Sequence, residues 1–314
     1  MKIKSLICIL ILSIVSCNAA AAFSTAGGYV SSVVYTGAGS VQPTMNGLAY
    51  DSGSLYLAQG TDLVTVDTAN NSSQVTGNMP GAMFNSLVSR YGGTTYTSYS
   101  SFPNTMDYTI GYIDAGGAYQ AQTTITGIYD MAINSAGDAY IVADPTGAGQ
   151  SQILKYDLTT GTATAAATIG GYSGGLAFDS AGNLYYADQG EFGGRAASVL
   201  KFSVDGSGAV DMSSPQSVLG IGAGFIGFDA DDNFYATTGW GAAFSQYDLS
   251  TGSLVADIAY GGIGQFEVVG ESIYLLDTDW DVFASTVYEV TVPEPATIAM
   301  LGLGAFGLVR RKRA

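Results

Sequence analysis

The stretch GLAFDSAGNLYYAD, at residues 175–188, decides the fold because it contains one complete β-hairpin. An apolar run leads into Asp179, a Ser-Ala-Gly-Asn turn follows, and a second apolar run ends at Asp188. Short apolar runs separated by Asp, Gly and Asn are typical of two antiparallel strands joined by a tight turn. Similar hairpins recur along the chain, each with a tyrosine near the start of its second strand: Tyr56, Tyr96, Tyr140, Tyr185, Tyr235 and Tyr274.

A second pair of strands follows each hairpin, most clearly in LKYDLTTG at 154–161 and SQYDLSTG at 245–252. Four short strands in about 45 residues is the size of one β-propeller blade, and the segment 23–291 has room for six. The last repeat stops after its third strand, whereas residues 29–36 supply a strand before the first repeat. We therefore expect an all-β, six-bladed β-propeller that is closed by its N-terminal strand, because closure removes exposed strand edges.

The composition excludes several classes of function. The 314 residues include no His, and both cysteines, Cys8 and Cys17, lie within the first 22 residues. Ser-His-Asp, Cys-His and zinc sites are therefore excluded from the segment 23–291. All but one of the 26 acidic residues lie in that segment, whereas six of the 10 basic residues lie in the two terminal segments. This acidic excess opposes binding to nucleic acid or to an anionic membrane surface.

The first 22 residues have the three regions of a secretory signal peptide, which signal peptidase would remove. Lys2 and Lys4 precede an apolar run at 6–15, and small residues follow at 19–22. As an alternative, the sequence IVSC at 14–17 resembles a bacterial lipobox, in which Cys17 would be lipidated after cleavage. We divide the chain into a signal peptide at 1–22, a propeller at 23–291 and a C-terminal segment at 292–314.

The C-terminal segment combines a Pro-Glu-Pro turn, a short apolar run at 296–309 and a basic cluster. The apolar run is shorter than the roughly 17–25 residues of an ordinary transmembrane helix. The residues that carry the pattern are Val292, Pro293, Glu294, Pro295, Arg310, Arg311, Lys312 and Arg313. This order resembles the PEP-CTERM signal of Gram-negative bacteria. The resemblance implies export, anchoring in the inner membrane through a short apolar helix, and processing by an exosortase-type enzyme; the alternative is a plain C-terminal membrane anchor.

The turn sequence DSAGNLY at 179–185 resembles NHL-type repeats and the six-bladed, calcium-dependent lactonase family. That resemblance implies a cation in the central channel, held by oxygen side chains at the inner starts of the first strands. The residues at those positions are Asn46, Asn85, Asp130 and Gln265, with Gly175 and either Gly224 or Phe225 in the other two blades. Because Asp130 is the one ionised carboxylate among them and calcium normally takes 6–8 oxygens, we expect weak or no calcium binding, and no cofactor.

Other acidic and aromatic residues are candidates for structural or binding roles. We expect Asp51, Asp179 and Asp229 to accept backbone N–H groups in their turns. Three further carboxylates follow second strands, where we expect solvated loops, the alternative being that they meet on one face: Asp144, Asp188 and Asp277. Trp240 and Trp280 offer rings that stack on sugars.

These observations favour an exported, non-enzymatic propeller associated with the cell surface or the extracellular matrix. Its expected ligand is an exopolysaccharide or another envelope component, and the acidic excess is compatible with cations or neutral sugars as partners. The alternative is a calcium-dependent, lactonase-like hydrolase with a metal site in the channel.

Overall fold

The computed structural model describes residues 22–37, 47–82, 84–101, 104–146, 149–191, 194–279 and 284–291. The regular structure in these ranges is entirely β, with 25 strands in six antiparallel sheets. No helix in them has the length and hydropathy of a membrane-spanning segment. The predicted signal peptide, apart from its last residue, and the predicted sorting segment lie outside the described residues.

The sheets are the blades of a six-bladed propeller, as the sequence predicted. Two strands precede the first repeat, β1 (Ser24–Thr25) and β2 (Val30–Gly37). Blade 1 contains β3 (Leu48–Asp51), β4 (Ser54–Gln59), β5 (Asp62–Asp67) and β6 (Ser72–Asn78). Blade 2 contains β7 (Phe84–Tyr91), β8 (Thr94–Ser101), β9 (Asn104–Ile113) and β10 (Tyr119–Thr126). Blade 3 contains β11 (Ile128–Ile133), β12 (Ala139–Ala143), β13 (Gln152–Tyr156) and β14 (Ala163–Thr168).

The remaining three blades repeat the same order. Blade 4 contains β15 (Leu176–Phe178), β16 (Leu184–Asp188), β17 (Ser198–Phe202) and β18 (Gln216–Leu219). Blade 5 contains β19 (Ala223–Phe228), β20 (Phe234–Thr238), β21 (Ala243–Asp248) and β22 (Ser253–Tyr260). Blade 6 contains β23 (Ile263–Val269), β24 (Ser272–Asp279) and β25 (Ala284–Thr291), with β2 as its fourth strand.

Burial along each blade explains its sequence pattern. The second strands β12 and β16 are buried at every position, because both faces of a blade pack against neighbouring blades. Apart from Asp188 at the end of β16, these strands are therefore continuously apolar instead of alternating. The outer strand β14 has no buried position and consists of Ala and Thr. Apolar clusters fill the spaces between blades, and one of them joins Leu87 and Ile110 of blade 2 to Ile141 of blade 3.

The ring is closed by the N-terminal strand. Strand β2 pairs with β25 along its whole length, from Val30 opposite Thr291 to Gly37 opposite Ser285. Val34 lies in the core of this blade, whereas Val33 faces solvent. The sequence also left one element undetected, since β1 adds a fifth strand to the edge of blade 5 by pairing with β22. Two residues are too few to show a periodic pattern.

The meander gives the propeller two different faces. At one end of the propeller, short turns join the first strand of a blade to the second and the third strand to the fourth. We call this end the turn face; it includes residues 52–53, 157–162 and 229–233. We call the opposite end the loop face; it includes residues 169–175, 239–242 and 261–262. Strand β25 runs toward the turn face, where Thr291 pairs with both Val30 and Ser272. The sorting segment therefore follows directly from the turn face.

Candidate functional site

The first strands of the six blades surround a central channel with a cavity of about 330 Å³. Besides Tyr50, the charged or polar residues that line it are Ser89, Arg90, Asp130, Gln265 and Glu267. The remaining lining is mostly apolar side chains and strand backbone. The channel brings together two of the four residues predicted to hold a metal, Asp130 and Gln265.

Asp130 lies on β11 and is buried. Its Oδ1 accepts hydrogen bonds from the Met131 N–H (2.9 Å) and the Gln265 amide (2.9 Å). Its Oδ2 accepts the Leu176 N–H of blade 4 at 2.8 Å. Burial raises the pKa of Asp130 to about 7, although these three donors favour the ionised form. Both oxygens of the carboxylate are therefore already engaged by protein donors.

Gln265 connects Asp130 to blade 1. Its Oε1 accepts the Leu48 N–H at 2.8 Å, while its Nε2 donates to Asp130. Blades 3 and 6 are opposite one another in a ring of six, so the contact between Asp130 and Gln265 crosses the channel. The resulting chain of hydrogen bonds joins blades 1, 6, 3 and 4 in that order.

Asn85 lies apart from this pair, in a different environment. It is buried, its Nδ2 is 3.7 Å from the Met79 sulfur, and its Oδ1 has no hydrogen-bond partner in the described part of the chain. Asn46, the fourth predicted ligand, lies outside the described residues. Within the described ranges, no group of three or more His, Cys, Asp or Glu side chains is arranged to hold a metal ion. The metal assignment of these four residues stays a prediction.

Glu267 is a channel residue that the sequence analysis missed. Glu267 lines the channel. Burial of its carboxyl raises the pKa to about 8, and the nearby charge of Asp130 acts in the same direction. A hydrogen bond from the Tyr50 backbone opposes this shift. A signal was present in the sequence: residues two apart on a strand share a face, so Glu267 follows Gln265 toward the channel.

The turn aspartates behave as predicted in two of three cases. Asp179 accepts the Asn183 N–H at 2.8 Å, and Asp229 accepts the Asn233 N–H at 2.9 Å. Asp51 differs, because it accepts two hydrogen bonds from Arg90 of blade 2, the shorter at 2.7 Å. The turn after Asp51 consists of just Ser52 and Gly53, both with positive φ. Such a two-residue turn closes directly onto its strands, which frees the carboxylate for Arg90.

The three carboxylates lie toward the loop face, but each contacts a different connecting segment, so they do not form one cluster. Asp144 accepts the Gly149 N–H (2.7 Å) and Asp277 the Gly262 N–H (2.7 Å), so each supports a nearby loop. The expectation of a solvated loop is wrong for Asp188, which is fully buried and paired with Arg195. The pairing explains its burial, since an unpaired buried charge would be costly.

Three exposed aromatic rings lie on the loop face. Trp240 is 89% exposed, Tyr172 48% and Tyr260 37%, and these are the large aromatic side chains that stand out from the described surface. All three lie at loop-face positions: Tyr172 in the connection after β14, Trp240 in the connection after β20, and Tyr260 at the end of β22. Trp240 has a positive φ of 61° between Gly239 and Gly241, whose φ values are also positive. Trp280 lies outside the described residues.

A family model for the PEP-CTERM protein-sorting motif matches residues 291–313. The chain carries a PEP-CTERM sorting signal. The match includes the Pro-Glu-Pro motif at 293–295 and the basic cluster at 310–313 that the sequence analysis singled out. Such a signal marks an exported protein that is anchored transiently at the membrane and processed by an exosortase.

Comparison with curated protein sequences gives no match. Solved structures share the fold at low identity. A gluconolactonase of Xanthomonas campestris has a TM-score of 0.63 and 13% identity, covering 85% of this chain and 91% of its own. The calcium-binding protein regucalcin of Agrobacterium tumefaciens has a TM-score of 0.61 and 14% identity, covering 84% and 95%. An aldose sugar dehydrogenase of Streptomyces coelicolor has a TM-score of 0.58 and 15% identity, covering 85% and 99%. At this identity the likeness shows the fold alone.

Proposed function

We propose that the mature protein is a surface- or matrix-associated, non-enzymatic propeller that binds polysaccharide through the loop face. The observation that carries the proposal is the set of three exposed rings, Tyr172, Trp240 and Tyr260, on that face. Aromatic rings offer large, rigid, amphipathic contact area, which suits the apolar faces and hydroxyl edges of sugars. An 89% exposed indole gains little from burial in the fold, so its position on a left-handed turn supports a role in contact.

The charge distribution supports an uncharged ligand. The whole chain has a formal net charge of −16 at pH 7. Five blades have an aspartate at the end of the third strand or within three residues after it. Each of these aspartates accepts a backbone N–H from two residues further on: Asp67, Asp114, Asp157, Asp205 and Asp248. These hydrogen bonds lower the pKa of each carboxyl, which keeps the turn face anionic. The turn face therefore repels polyanionic polymers.

The chemistry of the channel supports binding without hydrolysis. A calcium-dependent lactonase, the alternative function, needs carboxylate oxygens that are free to coordinate the ion. Both oxygens of Asp130 accept protein N–H groups, and Gln265 points its amide nitrogen at that carboxylate. The low-identity likeness to a gluconolactonase does not extend this argument beyond the fold.

The test is a glycan-binding screen on the mature protein, followed by variants. We expect binding to a neutral polysaccharide and no hydrolysis of aldonolactones with or without calcium. Trp240→Ala should weaken binding at least about tenfold, because tryptophan is enriched among residues that dominate binding energy. Val255→Ala is the matched control, since Val255 is also exposed but lies on the outer strand β22. Calcium-dependent lactone hydrolysis, or no glycan binding at all, would contradict the proposal.

A further inference from the structure

The centre of the channel is occupied by an amide and a carboxylate in direct contact. Gln265 Nε2 donates to Asp130 Oδ1 at 2.9 Å across the ring. Each partner is also fixed on its own side, Gln265 by the Leu48 N–H and Asp130 by the N–H groups of Met131 and Leu176. We call Gln265 and Asp130 with these three donors the axial brace.

The N–H donors of the brace stabilise the negative charge of Asp130, which a bound cation would otherwise neutralise. A buried carboxylate is costly unless it is paired with a cation or hydrogen-bonded. Asp130 is buried, and three N–H groups from three blades surround its two oxygens. The Gln265 oxygen accepts the Leu48 N–H, so the amide presents its nitrogen, which cannot coordinate a cation, to the carboxylate.

Gly175 is part of the same arrangement, because the space around it excludes any residue with a side chain. A Cβ at Gly175 would lie 3.1 Å from Asp130 Oδ2 and 2.9 Å from the Phe225 Cα. The absence of a side chain lets the β15 backbone approach, so that the neighbouring Leu176 N–H reaches Asp130. An oxygen-bearing ligand at this position would displace the brace.

We propose that the axial brace takes the place of a channel cation, so that the ring of this propeller is tied together without metal. The brace links blades 1, 3, 4 and 6 by hydrogen bonds, which is the connection a multidentate ion would provide. The proposal is independent of polysaccharide binding, because it concerns the channel and not the exposed rings of the loop face.

The sharpest test changes one atom of the brace. Gln265→Glu keeps the size and shape of the side chain but replaces the donor with a second carboxylate beside Asp130. The new carboxylate would repel Asp130 and would add to Glu267 in the same channel, giving three carboxylates where the described wild-type residues form no such group.

The measurement is the thermal unfolding of the full-length protein in EDTA and in calcium, with calcium titration by calorimetry. The wild-type Tm should be the same in both solutions. Gln265→Glu should lower the Tm by several degrees in EDTA and recover it in calcium, with a Kd of about 0.1–1 mM, the range of extracellular calcium modules. Gln74→Glu, at an exposed position on β6, should respond to neither.

Two results would overturn the proposal. A wild-type Tm that rises with calcium or falls with EDTA would show that the channel depends on an ion, and this result does not require any variant to fold. An unchanged Tm for Gln265→Leu, which keeps most of the volume and removes the hydrogen bonds, would show that the brace does not tie the ring. The expected result for Gln265→Leu is a lower Tm that calcium does not restore.

Discussion

Trp240 combines an exposed indole with a left-handed backbone. A positive φ costs an L-residue roughly 1–2 kcal/mol, and an indole that is 89% exposed recovers little of this by packing. Trp240→Gly should therefore stabilise the fold by about 1 kcal/mol while abolishing the ring contact with glycan. Urea denaturation measures the first effect. Trp240→Ala keeps the backbone cost and serves as the control; a destabilised Gly variant would show that the indole packs against the protein.

Glu267 gives the fold an unusual dependence on pH. Its pKa is raised to about 8 in the folded protein, against roughly 4.3 for an unfolded glutamate. The folded state therefore binds the proton more tightly, so the contribution of Glu267 to stability is complete below about pH 4 and is lost as the pH rises toward about 8. Asp130, with a pKa raised to about 7, acts in the same direction.

Glu267→Gln should flatten this decline, because glutamine keeps the shape and cannot ionise. The measurement is the free energy of unfolding between about pH 5 and pH 9 for both proteins. Glu271→Gln, at an exposed turn position on the same hairpin, should leave the wild-type slope intact. Parallel pH profiles for wild type and Glu267→Gln would refute the assignment.

Strand β2 offers a direct test of closure at the scale of one element. Val34 and Val33 are neighbours on β2, but Val34 is 7% exposed and packs in the blade core, whereas Val33 is 53% exposed. Val34→Asp buries an unpaired charge and should destabilise the protein by at least about 3 kcal/mol, while Val33→Asp should cost less than about 1 kcal/mol.

Deleting residues 28–36 extends the same test to the whole strand. The deletion exposes the edge of β25 and the core beneath it, so we expect the propeller to lose several kcal/mol of a typical margin of about 5–15 kcal/mol. Thermal unfolding measures the outcome. A deletion variant with the wild-type Tm would mean that closure does not depend on β2.

The blades could be predicted from sequence because each hairpin satisfies itself locally. In blades 4 and 5 the turn Asp accepts an N–H from the Asn four residues on, and a hydrogen bond from the marker Tyr, as Asp179 does from Tyr185. The turn and the second strand therefore share one sequence pattern. Two contacts differ from the sequence-based expectation, Asp51 with Arg90 and Asp188 with Arg195. They depend on a neighbouring blade or loop that no local sequence pattern encodes.

The channel was only partly predictable for the same reason. Their positions at the inner starts of first strands indicated that Asp130 and Gln265 line the channel. The sequence did not indicate that they contact each other across the ring, or that backbone N–H groups hydrogen-bond to their oxygens. Register within each strand sets which side chains reach the axis, and several first strands contain bulges that shift it, as between Ile128 and Asp130. Glu267 could have been found by extending the alternation from Gln265 along the same strand.

At the scale of the whole molecule, the two faces differ in chemistry. The turn face carries the repeated aspartates, whereas the exposed aromatic rings lie on the loop face. Binding of a neutral glycan should therefore change less than about twofold between roughly 0.05 and 0.5 M salt, because screening acts on charges and not on ring contacts. Calorimetry at the two salt concentrations measures this. A steep loss of affinity with salt would indicate an ionic ligand.

The pairing of β2 with β25 also determines when the molecule can finish folding. Val30 and Thr291 are partners, yet almost the whole body of the chain separates them. In a polypeptide that crosses a membrane unfolded and N-terminus first, the first strand emerges long before the last one. Contacts between such distant segments form late, because a large loop must close first. Blades can form one by one during translocation, but β2 stays without β25 until nearly all of the body has emerged on the far side.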